Sequence, residues 1–292
     1  LVNFWENLGI IVFASALWLL FKGIELIFNP NKNPRVVSIA RKARVLAQNF
    51  LLSALFGVYG DVILFAIIEY RTFEFGWNLS LLSFIVSIIL LVAMFLTFFY
   101  QIKILKAYQK IKKQEEHTAS QNPRIKSLKN FMKRNEGSQV FWKDFKDYSF
   151  APQLFLFFMT GRDLIFNLLL ATMFEYPMAQ TIIIIILDCL MIFYLFVKKP
   201  FENTFDFIQQ LFFEFVGLAV MVTVFVNAIF DAGKYQALQA RNNIGKLIII
   251  FNIIFNFVTA VFMVFLVWQT LIEFYKEQKQ KRGKKLTNLG IH

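Results

Sequence analysis

Long runs of apolar residues dominate this chain, and the short stretches between them carry most of its charged side chains. A helix that crosses a bilayer needs about 20 apolar residues, and seven runs reach that length. They lie near 7–28, 46–69, 78–102, 152–174, 179–197, 205–230 and 245–270. Membrane-spanning strands would alternate polar and apolar residues, which these runs do not. The pattern predicts an all-α polytopic integral membrane protein with seven transmembrane helices.

Composition agrees with a lipid environment and limits the number of domains. The chain of 292 residues is 58% hydrophobic, whereas soluble domains are about 45–50% apolar. Little of the sequence lies outside the spans, so we predict one membrane domain over 1–292. The chain begins at Leu1 and has no signal-peptide pattern, which favours the end of a longer protein.

The distribution of Lys and Arg predicts the orientation of the helices. Twenty-five of the 31 lie in loop 29–44, segment 103–150, the turn after span five and the tail 276–292, against four on the opposite side. Basic residues accumulate on the cytoplasmic side. We therefore expect the N-terminus outside and the C-terminus in the cytoplasm. The net charge of +12 is then a topology signal, and no nucleic-acid partner is expected.

The cytoplasmic segment 103–150 is the only sizeable part outside the membrane. Its first residues continue the third helix, and HTASQNP at 117–123 breaks it. RIKSLKNFMKRN then separates apolar from basic residues on a helix, which is typical of helices that lie among lipid headgroups. We expect headgroup contacts from Lys126, Lys129, Lys133 and Arg134, with anionic lipids of the cytoplasmic face as partners. A gating arm and a plain anchored linker both fit this pattern.

Several spans carry polar side chains at the depth of the bilayer. Span four holds Arg162 and Asp163, which point about 100° apart on a helix and are not expected to satisfy each other fully. Isolated charges at this depth cost at least about 3 kcal/mol, so we expect them to face inward. The predicted intramembrane polar centre is Arg162, Asp163, Asp188, Gln210, Glu214, Asn252 and Asn256.

Two pairings would satisfy this centre. Arg162 would pair with Asp188 or Glu214. Asp163 would hydrogen-bond to Asn252 and Asn256, which lie on one face of span seven, or be protonated. An ion or solute path would use such groups, and a clasp that fixes helix register would use them equally well.

Catalytic chemistry has little support in the sequence. The two histidines lie in a loop and at the last position, so neither a His-containing metal cluster nor a His-based triad forms within the spans. Phosphate-binding glycine loops and nucleophile elbows are missing. We predict no enzyme activity, no cofactor and no metal.

Three stretches within 148–256 resemble a known group of membrane proteins. They read YSFAPQLFLFFMTGRDLIFNLLLATMFEYPMAQ, LDCLMIFYLFVKKPFENTFDFIQQLFFEFVGL and RNNIGKLIIIFNIIFN. They are similar to the TRP-like or polycystin-like C-terminal membrane region of large ciliate surface proteins. The shared features fall at Arg162, Lys199–Pro200–Phe201, Glu214 and Ile244–Gly245.

The resemblance implies a function and a location. Spans two to seven would form a six-helix channel unit in the plasma or ciliary membrane, as a homo-oligomer or part of a membrane complex. Span five has no Arg ladder, so voltage gating is not expected. Ion channel or transporter activity is the leading expectation. The alternatives are a non-conducting membrane anchor or scaffold for an extracellular region, and a seven-span receptor, which rests on topology alone.

Overall fold

Helices make up nearly all of the protein in this computed structural model, which describes residues 2–28, 33–73, 79–119, 127–233 and 238–288. No strand element occurs within those ranges. The α-helices are α1 (Val2–Ile27), α2 (Pro34–Gly57), α3 (Tyr59–Thr72), α4 (Leu79–Ala119), α5 (Ser127–Arg134), α6 (Phe150–Gln153), α7 (Phe155–Thr172), α8 (Pro177–Lys198), α9 (Thr204–Ala232) and α10 (Leu238–Asn288). A 3₁₀ helix, Glu136–Phe141, lies between α5 and α6.

The membrane-crossing helices confirm the predicted fold class. Within the described residues, six helices are long and apolar enough to span a bilayer, namely parts of α1, α4, α7, α8, α9 and α10. The pair α2 and α3 passes the same test together, which makes up to seven spans. The protein is therefore an all-α polytopic membrane protein. The direction in which each span crosses stays a prediction.

The second span differs from the prediction of one straight helix over 46–69. The chain bends by 58° between α2 and α3, at Val58. Gly57 and Gly60 flank this bend, and glycine is a poor helix former that is often found at kinks.

The basic stretch before this span is helical rather than the predicted loop. α2 already begins at Pro34, a residue suited to the first helical position. Val37, Ala40 and Ala47 of α2 are buried, and α2 packs along α1. The spacing of these residues places them on one face of α2. The Arg and Lys residues between them interrupt the apolar run, so the sequence analysis predicted a loop here.

The core near the bend joins α3 to α4. Tyr59, Val62 and Ile63 of α3 are buried against Leu90 and Met94 of α4. The Tyr59 hydroxyl donates to the backbone oxygen of Met94 at 3.3 Å. A buried phenol needs such a partner, so this bond fixes the start of α3 against the middle of α4.

Contacts within the chain define two compact units, Leu1–Phe207 and Ile208–His292. The prediction of one membrane domain concerns how these units associate and stays a prediction. In the second unit, Arg241 Nη2 lies 2.8 Å from Asp231 Oδ1, which joins the end of α9 to the start of α10. Residues 234–237 between them lie outside the described part of the chain.

Candidate functional site

Arg162 and Asp163 lie in the middle of α7 and bind each other. Arg162 Nε and Nη2 are 3.3 Å and 3.2 Å from Asp163 Oδ1. Adjacent helical side chains leave the axis about 100° apart, but the long arginine side chain curls back along the helix surface. The sequence predicted that this pair would not satisfy itself fully, and Arg162 has a further acidic contact.

Asp188 of α8 is the second carboxylate at this guanidinium. Its Oδ1 lies 3.8 Å from Arg162 Nη1, and the residue is 8% exposed. Depth along the spans suggested Asp188 or Glu214 as the partner of Arg162, and the structure contains the Arg162–Asp188 contact. One guanidinium lies between carboxylates from two helices, and its contacts connect α7 to α8.

Asn167 and Gly60 support the same part of α7, and the sequence analysis did not identify either residue. Asn167 is buried, and its Nδ2 donates to the backbone oxygen of Asp163 at 2.8 Å. A Cβ atom at Gly60 would lie 2.4 Å from that Nδ2, so a larger residue at this position of α3 would have to displace the Asn167 amide. Asn167 stands four residues after Asp163 in an otherwise apolar run, which was the available signal.

A cavity of about 450 Å³ opens beside Arg162 between α7 and α8. Its walls are mostly aromatic and aliphatic, including Phe157, Phe158 and Leu190. Tyr194 also lines it, and its hydroxyl donates to the backbone oxygen of Ala151. The guanidinium is therefore the charged group of a cavity with largely apolar walls.

The remaining predicted polar residues belong to the second unit. Gln210 Nε2 donates to Glu214 Oε1 at 2.7 Å, as their spacing of four residues suggested. Glu214 is 4% exposed. Asn252 donates to the backbone oxygen of Ile248 in its own helix, and both Asn252 and Asn256 are exposed. Their predicted contacts with span four stay predictions.

The turn after α8 forms backbone hydrogen bonds with the segment that precedes α6. The Lys146 amide donates to Pro200 oxygen at 2.8 Å, and the Glu202 amide donates to Asp144 oxygen at 3.0 Å. These bonds form an isolated antiparallel bridge between Phe145 and Phe201. The segment that precedes α6 is thus hydrogen-bonded directly to the connection between α8 and α9.

A chain of polar contacts links the end of α4 to α6. Gln109 Nε2 donates to Gln153 Oε1 at 2.6 Å, and Gln153 Nε2 donates to Asp147 Oδ1 at 3.0 Å. Lys112 Nζ lies 3.0 Å from the same Asp147 oxygen. Gln153 is fully buried, so these bonds satisfy its amide and fix α6, which leads into α7.

α5 confirms the helix predicted within segment 103–150, but its surroundings differ from the prediction. Its Phe131 ring lies 6.3 Å from Tyr108 and 6.1 Å from Trp142, measured between centroids. This apolar side chain therefore packs on protein, whereas a helix lying flat among headgroups would direct it into lipid. Lys129, Lys133 and Arg134 are exposed, and their lipid contacts stay predictions. Lys126 lies outside the described residues.

Comparison with known proteins does not assign the chain to a family. No family model, no curated protein and no solved structure matches the chain. The class of protein that the fold defines is an all-α polytopic membrane protein with a paired charge site in α7 and α8. The TRP-like resemblance stays a prediction based on its short motifs.

Proposed function

We propose that this chain is the membrane domain of an ion channel or ion transporter, with Arg162, Asp163 and Asp188 beside its path. The observation that carries the proposal is one guanidinium shared by two carboxylates from α7 and α8. Two negative groups and one positive group leave an excess negative charge. Such a charge in a membrane interior is costly, and a proton or a metal cation from water would balance it.

The inventory of charged residues over the predicted spans supports the same proposal. Lys22, Arg162 and Lys246 are the basic residues within those runs, whereas Asp163, Asp188 and Glu214 are among a larger number of acidic ones. Lys22 lies over the Trp18 ring of its own helix, with Nζ 4.7 Å from the centroid. A surplus of acidic groups favours cations as the transported species.

The proposal also includes the class and the place of action. We place the chain with TRP-like surface proteins of the plasma or ciliary membrane, acting as a homo-oligomer or within a membrane complex. The motifs quoted above support this assignment, together with the lack of catalytic motifs in the sequence. Anionic lipids of the cytoplasmic leaflet are the expected partners of its basic loops.

A membrane anchor or scaffold is the second candidate, and a specific observation favours it. Arg162 is already in contact with both carboxylates, and the cavity beside it has largely apolar walls. A pair that only fixes helix packing would have this geometry. The two candidates differ in one measurable property, which is ion flux through folded protein.

Proteoliposomes loaded with K⁺ test the proposal. Purified full-length chain is reconstituted, and K⁺ efflux is compared with that of empty vesicles and of vesicles containing Asp188→Asn. Asp144→Asn is the matched control, since Asp144 is an exposed acid outside the spans. We expect efflux from native protein and from the control, and a severalfold loss with Asp188→Asn. Folded native protein without efflux of K⁺ or protons would favour the scaffold.

A further inference from the structure

A groove lies on the surface of the first unit between the first half of α2 and the 3₁₀ helix Glu136–Phe141. Its volume is about 500 Å³. Ser38, Arg41 and Lys42 line one wall, and Gln139 lies on the other. Val45 and Leu46 continue the lining towards the middle of α2. The lining therefore combines cationic and polar donors with apolar side chains.

The floor of this groove is held in place by close contacts. Asn49 Nδ2 donates to the backbone oxygen of Glu136 at 3.1 Å. Beside it, a Cβ atom at Gly137 would lie 2.4 Å from Gln48 Oε1, so the turn packs closely on α2. The two walls are fixed relative to each other, and a ligand would bind a site that is already formed.

The charges around the groove favour an anion. Glu25 of α1 contacts Arg41 Nε at 3.0 Å and Arg44 Nε at 2.8 Å, which orients both arginines. The Arg41 side chain nevertheless remains 63% exposed, and Lys42 is exposed as well. A guanidinium has five donors, so one contact to a carboxylate is compatible with binding a phosphate. Glu136 is the acidic residue in the lining, and the basic groups outnumber it.

The apolar side chains beside these charges indicate a lipid. Leu46 is 73% exposed and Ile39 is 68% exposed, and α2 continues from here into the bent span. In a membrane protein, such alkyl groups face acyl chains, while Arg and Lys beside them reach the headgroup layer. A free phosphate would use the basic wall alone, whereas a phospholipid would use both parts of the groove.

We propose that this groove binds the phosphate headgroup of an anionic phospholipid, with Arg41 and Lys42 on the phosphate and Val45 and Leu46 against an acyl chain. This site is separate from the exposed basic residues of α5. It does not depend on ion transport, because a channel and a scaffold could both carry a bound lipid.

Native mass spectrometry of the detergent-solubilised full chain tests this site with dioleoyl phosphatidic acid as the probe and dioleoyl phosphatidylcholine as the neutral comparison. We expect phosphatidic acid to bind native protein in preference to phosphatidylcholine. Arg41→Gln with Lys42→Gln should weaken that binding roughly tenfold or more, because hydrogen bonds to charged groups are lost. Lys129→Gln with Lys133→Gln removes the same charge from α5 and should weaken that binding clearly less than the α2 variant does, because the α5 residues lie outside the groove.

Two further variants keep the test decisive. Lys42→Gln alone serves if the double variant unfolds, and it leaves both contacts of Glu25 intact. Leu46→Gln should weaken binding of the dioleoyl lipid while leaving the net charge unchanged. Equal losses in the α2 and α5 variants would mean diffuse attraction and overturn the site. Displacement of the lipid by millimolar inorganic phosphate, or native binding no stronger for phosphatidic acid than for phosphatidylcholine, would overturn the lipid assignment.

Discussion

Arg162 Nη1 on α7 lies 3.8 Å from Asp188 Oδ1 on α8, while the same guanidinium binds Asp163 on its own helix. One cation therefore accounts for two carboxylates within apolar helices. Replacing Arg162 would remove the positive charge that both carboxylates contact. Replacing one carboxylate would leave the other in contact with Arg162. The consequences for stability are different for each change.

The first prediction concerns stability in detergent. Arg162→Met should destabilise the protein by about 3–5 kcal/mol, since it removes the positive charge shared by buried Asp188 and half-buried Asp163. Adding Asp163→Asn and Asp188→Asn to that variant should restore part of the lost stability, because the two negative charges are removed as well. Thermal unfolding followed by tryptophan fluorescence measures both effects. A triple variant less stable than Arg162→Met would contradict this reading of the site.

A second prediction concerns the close approach of α3 and α7. Gly60→Ala should destabilise by about 1–3 kcal/mol, because the added Cβ would displace the Asn167 amide from its bond to Asp163. Asn167→Ala should suppress this effect, so the double variant costs less than the sum of the single ones. Gly57→Ala is the control, since nothing lies within 4 Å of a Cβ there. Strictly additive costs at Gly60 and Asn167 would refute the contact.

The turn after α8 gives a third prediction. Lys199 has φ of 41°, a left-handed conformation that disfavours residues with a Cβ. Lys199→Gly should therefore raise stability by about 1 kcal/mol, after allowing for the greater freedom of glycine in the unfolded chain. Lys198→Gly, at the last helical position, should lower stability or leave it unchanged. Equal effects of the two substitutions in thermal unfolding would argue against the left-handed turn.

The sequence predicted features that depend on the length of an apolar run or on position along a helix. Apolar run length identified α8 and α10 as spans. The sequence also predicted that the third helix continues past the membrane and breaks at 117–123, and the structure extends it slightly further, to Ala119. Depth along the spans predicted Asp188 or Glu214 as the partner of Arg162, and the structure has the first of these contacts. These features depend on residues in sequence order or on the fixed rise of a helix.

Features that depend on which helices pack together could not be predicted from the sequence. The approach of Gly60 to Asn167 and the chain Gln109–Gln153–Asp147 require knowledge of which helices are neighbours. The helical form of the basic stretch in α2 was missed for a related reason. Its buried face packs on α1, and charged residues between the buried positions interrupted the apolar run.

The fourth prediction tests the orientation of the spans. In a Cys189→Ala background, Lys143→Cys and Glu175→Cys introduce single thiols at exposed positions before and after α7. A membrane-impermeant maleimide applied to intact cells should label the residue 175 thiol, and the residue 143 thiol only after permeabilisation. Labelling of both thiols from outside the cell would contradict the predicted topology.

We propose that the paired charges of α7 and α8 lie beside an ion path, and reversal potentials in planar bilayers test this proposal. Native protein in a KCl gradient should give a current that prefers K⁺ over Cl⁻. Asp188→Asn should reduce that preference severalfold at a normal folded yield, because it removes negative charge beside the path, whereas Asp144→Asn should not. A reversal potential identical in native protein and Asp188→Asn, or no current from folded native protein, would contradict the account.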